Sequence, residues 1–195
     1  LFENPYRSPD AAAEVVAEEK HWKDAYQVHL QSVVLLKNKS QLLPLDSGKM
    51  KEKKVYVECF KKDGKAAEKE TEILRKSLEE KRGLTLTDTY ENADYAILFA
   101  NPSSGEYFNA TKGYLELDIC DKKQVPDVDE SGCPSDTCHE ETTLSGVDKI
   151  KDIYEAVHKN GGKVISCINF TLAWMVGNVE PYADALLAGF DTYTD

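Results

Sequence analysis

No apolar stretch in this sequence approaches the ~18 residues a membrane helix needs, so a membrane-spanning chain is not expected. The opening LFENPYRSPD has no basic n-region, no apolar h-region and no initiator Met, so no targeting peptide is visible. The chain therefore reads as a piece of something longer, whose compartment stays open with a secreted or periplasmic one favoured. Lysine and arginine form no stripe with interleaved aromatics, and a net charge of −11 repels a polyanion, so nucleic acid is not expected as a partner. The short basic clusters Lys49 to Lys54 and Lys61 to Lys65 read as solvated loops beside a strand. No GxGxxG or GxxxxGK[ST] follows a strand, which leaves a nucleotide-binding reading without support. The five cysteines lack paired CxxC spacing, and no metal or other cofactor is expected.

What the chain does have suits one domain plus an arm. It has 195 residues, 41% hydrophobic and 30% charged, within the ~100–200 residues of a common domain. Cys59 in YVECF and Cys167 in VISCINF read as buried, inert thiols. Cys133 and Cys138, in SGCPSDTCHE, share a polar loop where a local disulfide is conceivable in an oxidising compartment. Asn-x-Ser/Thr triplets stand at Asn38, Asn109 and Asn169, the last in a strand-like run.

Along the chain, Asp10 is placed to cap a helix with Val15, Trp22, Tyr26 and Leu30 near helical spacing, leading into SVVLLKN as a short buried strand. KVYVECF (54–60) reads as a strand and 66–82 as a helix with a narrow stripe of Ile73, Leu74 and Leu78, ended by Gly83. LTLTDT is a short strand, and YAILFA (95–100) is a continuous apolar run of the kind a parallel sheet covered on both faces requires. From about 101 to 143 the pattern dissolves into Gly, Pro, Ser and Asp, which marks an active-site or binding insertion or a mobile loop. Helical spacing returns with Leu144, Val147, Ile150, Tyr154 and Val157, then come strands KVISCINF (163–170) and DALLAGF (184–190). This order predicts an α/β fold: an open, mostly parallel sheet flanked by helices on both faces, a flavodoxin-like three-layer sandwich. Its core is expected to hold Val34, Leu36, Val55, Val57, Ile97, Phe99, Ile165, Ile168 and Leu187. Such sheets put ligands at the carboxyl ends of their strands, which directs attention to NPSSGEYFNATKGYLELD and to Glu106, where Gly105 lets the backbone bend.

The phrases NPYRSPDAAAEVV, SVVLLKN with LLPL, ADYAILFA and GGKVISCINF…EPYADALLAGFDTYTD resemble the junction and second catalytic domain of family 3 glycoside hydrolases, the β-glucosidase family. The resemblance covers nearly the whole chain. It implies that 1–32 is linker and helix from an upstream barrel domain, and that 33–195 is the α/β sandwich with a substrate loop at about 101–143. It implies a retaining β-glycosidase acting on a carbohydrate, a β-linked glucoside or oligosaccharide, with an aspartate nucleophile on the barrel. The fragment by itself is then expected to be inactive. The family's acid/base is often a glutamate in a phrase like SGEG followed by Asp-Arg; here Ser104-Gly105-Glu106 is followed by Tyr107 and no Asp-Arg. Glu106 is the acid/base candidate, with Glu116 and Asp118 behind it, and Ser104, Tyr107, Phe108 and Tyr114 are the sugar-binding candidates. Aromatic neighbours desolvate a carboxyl, raising its pKa, and stack on sugar faces. The competing expectation is a non-catalytic flavodoxin-like binding or regulatory module that uses 101–143 as a docking surface.

Overall fold

In a computed structural model the described residues are 8–16, 18–104, 116–129, 131 and 133–190. Helices α1 (Pro9–Val16) and α2 (Glu19–Ser32) come first. Ser8 rather than Asp10 serves the α1 start: its hydroxyl accepts from the Ala11 N–H at 3.4 Å, and Pro9 takes the first helical position, where a missing N–H costs nothing. Neither helix buries a residue, and Trp22 is 62% exposed.

Six strands form one sheet. They are β1 (Val34–Asn38), β2 (Lys54–Lys61), β3 (Thr85–Leu86), β4 (Tyr95–Asn101), β7 (Lys163–Asn169) and β8 (Ala185–Gly189), in the spatial order β1-β8-β7-β4-β2-β3. All neighbours are parallel except β1, which runs antiparallel to β8. In chain order the five parallel strands lie 2-1-3-4-5, the flavodoxin-like arrangement. The helices α4 (Gly64–Arg82) and α5 (Val147–Lys159) link parallel strands. Asp63 caps α4 by accepting from Lys65 and Ala66, and Gly83 ends it at φ 62, a left-handed conformation that only glycine adopts without cost.

The two faces of the sheet are covered unequally. On one, α5 lays Val147, Ile150, Ile153 and Val157 against Ala96, Leu98, Ala100, Val164, Ile168 and Leu186. On the other, α4 covers Val55 and Val57 through Leu74 and Leu78. Strand register puts Cys59, Phe99, Cys167, Leu187 and Leu35 in one row across that face, and burial fades along it from Cys59 at 5% to Leu35 at 49% exposed. The expected core therefore needs correcting. Val55, Val57, Ile165 and Ile168 are buried, Ile97, Phe99 and Leu187 are half-buried, and Val34 and Leu36 are exposed. The physical reason is position: β1 is an edge strand, and no element among the described residues covers its apolar side chains. Leu42, Leu43 and Leu45 are half-buried in the following turn, where the Asn38 amide bonds both the N–H and the carbonyl of Leu43. A four-residue helix, α3 (Ser47–Met50), buries Met50 inside a stretch expected to be loop.

The expected insertion contains regular secondary structure. A two-stranded antiparallel ribbon, β5 (Lys123–Val128) and β6 (Pro134–Glu141), occupies it. All five cysteines are free. Cys133 precedes β6 and Cys138 lies within it, so the strand's rise separates them by roughly 16 Å. A disulfide needs Cα atoms within ~7 Å, so the local bridge is not compatible with β6.

Candidate functional site

The carboxyl ends of the parallel strands meet at Lys61, Asn101, Asn169 and Gly189, which share one register row. Asn169 Nδ2 donates to Asn101 Oδ1 at 3.1 Å, tying β7 to β4. Directly beyond, the Phe170 N–H donates to the Gly189 carbonyl at 2.7 Å, which sets Phe170 beside Phe190 with ring centroids 6.3 Å apart. Phe190 is 50% exposed.

After β4 the chain runs through buried Pro102 to Ser103 and half-buried Ser104. Of the sequence candidates, Ser104 is thus at the carboxyl edge of the sheet. Glu106, Tyr107, Phe108 and Tyr114 lie outside the described residues, as does the Asn109 triplet. The two sides of that segment are held together by one residue that pattern reading passes over. Fully buried Thr143 accepts the Ser103 N–H through its carbonyl at 2.9 Å, and its hydroxyl donates to the Asp118 carbonyl at 2.7 Å and accepts the Cys120 N–H at 2.9 Å. The stretch after the segment is also tied to the loop after β7, where the Met175 N–H donates to Leu117 O and Asn178 Nδ2 donates to Ile119 O. A buried threonine in a polar stretch carries no sequence signal for such a clasp.

Glu116 and Asp118 are engaged elsewhere. Lys123 Nζ lies 2.5 Å from Asp118 Oδ2 and 3.2 Å from Glu116 Oε1, and Glu116 Oε1 also accepts the Asp118 N–H at 2.8 Å. The hydrogen bond to Asp118, reinforced by Glu116, outweighs burial and pushes the Lys123 ammonium above its ordinary range. These two carboxylates anchor the base of the ribbon through a shared cation, each by one of its oxygens. Further out, His139 Nδ1 bonds Asp127 Oδ1 at 2.7 Å, and Glu141 Oε1 meets Lys62 Nζ at 3.0 Å.

The buried thiols are unreactive in this setting. Burial pushes both Cys59 and Cys167 up to about 11, and it also raises Cys120, so all three are neutral at physiological pH. Cys167 is half-buried by surface, less enclosed than the strand pattern suggests. Among the described residues no cluster of three His, Cys, Asp or Glu side chains is placed to hold a metal ion.

A groove of about 490 Å³ runs along the outer edge of β2, because β3 pairs only with Lys54 and Val55. Its principal cations are already matched: Arg75 meets Asp88 at 2.6 Å, and Lys149 meets Glu58 at 2.5 Å. Burial and the 2.7 Å bond it donates to Glu58 push the Tyr56 hydroxyl well above its ordinary pKa, so it stays protonated. The Cys59 N–H, which faces this edge, donates to the Thr71 hydroxyl instead of to a strand. The groove's Arg75 and Lys149 are thus each held by a carboxylate, and the carboxyl edge, where open α/β sheets place ligands, is the candidate site.

No protein-family model matches the chain, and no curated protein matches it. Among solved structures, its fold is similar to that of a β-glucosidase from Listeria innocua in complex with glucose, at 20% identity and a TM-score of 0.52, over 97% of this chain and 25% of that one. It is also similar to a β-glucosidase from Erythrobacter marinus, at 13% identity and a TM-score of 0.53, over 97% of this chain and 29% of that one. The chain thus spans about a quarter of the length of the enzymes whose fold it shares.

Proposed function

We propose that this chain is the second domain of a retaining, exo-acting β-glycosidase of the β-glucosidase kind, meeting a barrel domain of the same polypeptide across the carboxyl edge of its sheet. The observation that carries the reading is the fold: nearly the whole chain matches one quarter of a β-glucosidase that was solved with glucose. The phrases SVVLLKN and EPYADALLAGF, placed in β1 and around β8, support it further.

In this reading the barrel supplies an aspartate nucleophile and Glu106 supplies the acid/base. Retention requires two carboxyl groups ~5–5.5 Å apart, one ionised to attack the anomeric carbon and one protonated to donate to the leaving oxygen. In the sequence Glu106 comes two residues after Ser104, which stands at the edge where open α/β sheets place ligands. The clasp at Thr143 limits where the segment can stand, which is how a loop carboxyl is brought to a fixed partner. Ser104, Tyr107, Phe108 and Tyr114 contribute sugar contacts beside it.

The test is leaving-group dependence in the two-domain enzyme. Glu106→Ala should nearly abolish cleavage of glucosides with poor leaving groups while sparing glycosyl-enzyme formation from activated aryl glucosides, and azide should restore turnover. A small, uniform loss without azide rescue would reject Glu106 as acid/base. If the parent protein proves to have no glycosidase activity at all, the chain is a non-catalytic flavodoxin-like module.

A further inference from the structure

We propose that the groove along the outer edge of β2 binds an extended peptide segment of a partner chain. The segment pairs through its backbone with Val57 and sets a lysine or arginine against Glu68 and Glu72 of α4. This does not rest on the glycosidase reading.

The backbone of β2 gives the first reason. Successive residues of a strand turn their N–H and C=O groups to alternate edges. Three residues two apart or four apart show which set faces outward. The Val55 carbonyl accepts from the Thr87 N–H at 3.0 Å, the Cys59 N–H donates to the Thr71 hydroxyl at 2.9 Å, and the Lys61 carbonyl accepts from the Ser145 N–H at 3.0 Å. Val57 belongs to the same set, but β3 ends at Leu86, and among the described residues neither its N–H nor its carbonyl has a partner on this edge. Val57 is only 1% exposed, and unpaired backbone groups at so buried a residue carry a cost that a bonding partner removes. The groove reaches them: Val57 and Cys59 both stand in its wall, and its volume of about 490 Å³ is within the ~300–1,000 Å³ of ligand sites.

Charge gives the second reason. The cations in the wall are matched, Arg75 with Asp88, Lys149 with Glu58 and Lys61 with Glu70. Glu68 and Glu72 stand in the same wall, exposed and one helical turn apart, and meet no cation among the described residues. An anionic ligand finds no free counter-charge here, whereas a cationic one finds two carboxylates.

Strand geometry joins the two. In an antiparallel hydrogen-bonded pair one ligand residue exchanges both bonds with Val57, and directly opposed side chains share a face of the sheet. Val57 lies in the cluster that Leu74 and Leu78 of α4 cover. The ligand residue opposite it therefore turns its side chain to the α4 side, which carries Glu68 and Glu72. Backbone pairing then supplies affinity and the basic side chain supplies selectivity, as in other strand additions.

The experiment titrates the 15N-labelled protein with the capped peptide acetyl-Val-Lys-Val-amide and follows the Val57 backbone amide signal. That signal should shift with a midpoint in the millimolar range typical of so small a ligand. Methylating the backbone nitrogen of the peptide's lysine removes the donor to the Val57 carbonyl and should weaken binding about fivefold. Glutamate in place of the peptide's lysine, or Glu68→Gln combined with Glu72→Gln in the protein, should weaken it about threefold. Both protein positions are exposed, and an unchanged backbone spectrum verifies the fold of the variant. A Val57 signal that stays still up to about 0.1 M peptide, well past that range, would overturn the proposal. Equal binding of the methylated peptide, or an equal Val57 shift from butylamine, would do the same by showing that no strand pairing occurs. Equal binding of the glutamate peptide would overturn the assignment to a basic segment.

Discussion

Asp184 shows how one buried carboxylate can hold three elements. Only 5% of its side chain is exposed, yet it accepts the Val164 N–H at 2.9 Å and the His158 ring at 2.7 Å, with Lys163 Nζ at 3.9 Å. Burial alone would raise its pKa, but the Val164 N–H, His158 and Lys163 together outweigh burial and hold the carboxyl below its ordinary range. A depressed folded pKa means stability that is full above the unfolded carboxyl value near ~4 and lost as pH falls through the folded value. Urea unfolding should therefore show Asp184→Asn to cost about 1–3 kcal/mol at pH 7, with the gap between variant and wild type closing as the pH is taken below 4. A gap that stays constant would mean the carboxylate acts only as a hydrogen-bond acceptor. At this scale the sequence is least informative. Glu106 and Ser104 could be singled out from a glycine and a strand end, but Asn101, Thr143 and Asp184 owe their roles to residues 68, 25 and 20 positions away in the chain.

Among the elements, β4 separates a buried face from a half-open one within a single strand. Leu98 is 1% exposed against α5, whereas Ile97 points to the side that α4 covers only in part. Leu98→Ala should cost about 2–5 kcal/mol and Ile97→Ala less than half as much, read as urea midpoints at constant slope. Equal losses would mean that both faces are sealed. The turn from α5 into β7 is tighter still: a Cβ on Gly162 would stand 2.7 Å from Val157 Cγ1 and 2.8 and 2.9 Å from the carbonyl oxygens of Ala93 and Asp94. Two of those neighbours are backbone and cannot rotate away, so Gly162→Ala should lower stability by about 1–3 kcal/mol, measured the same way. The parallel strands were legible because burial on both faces leaves unbroken apolar runs such as YAILFA and KVISCINF. The same logic misplaced β1, since an apolar run does not say whether anything covers it. It also passed over β5 and β6, whose KQVPDV and PSDTCHEE are polar and carry prolines, because a ribbon outside the core needs no apolar alternation.

At the scale of the whole molecule, the proposed division of labour makes this chain half of a catalyst. Purified alone, it should give no detectable turnover of an aryl β-glucoside, since loss of one member of a carboxylate pair costs many orders of magnitude. Turnover comparable to that of a complete enzyme would show that both carboxyl groups reside here. The antiparallel pairing of β1 with β8 has a further consequence for how the molecule is made. Val34 bonds beside Ala188, so the partner of β1 leaves the ribosome about 150 residues later. At the ~5–20 residues per second of synthesis, the run VVLL waits roughly 8–30 s without its ladder. For that interval an apolar strand stands as an open template to which another chain can pair, until β8 arrives and closes its edge.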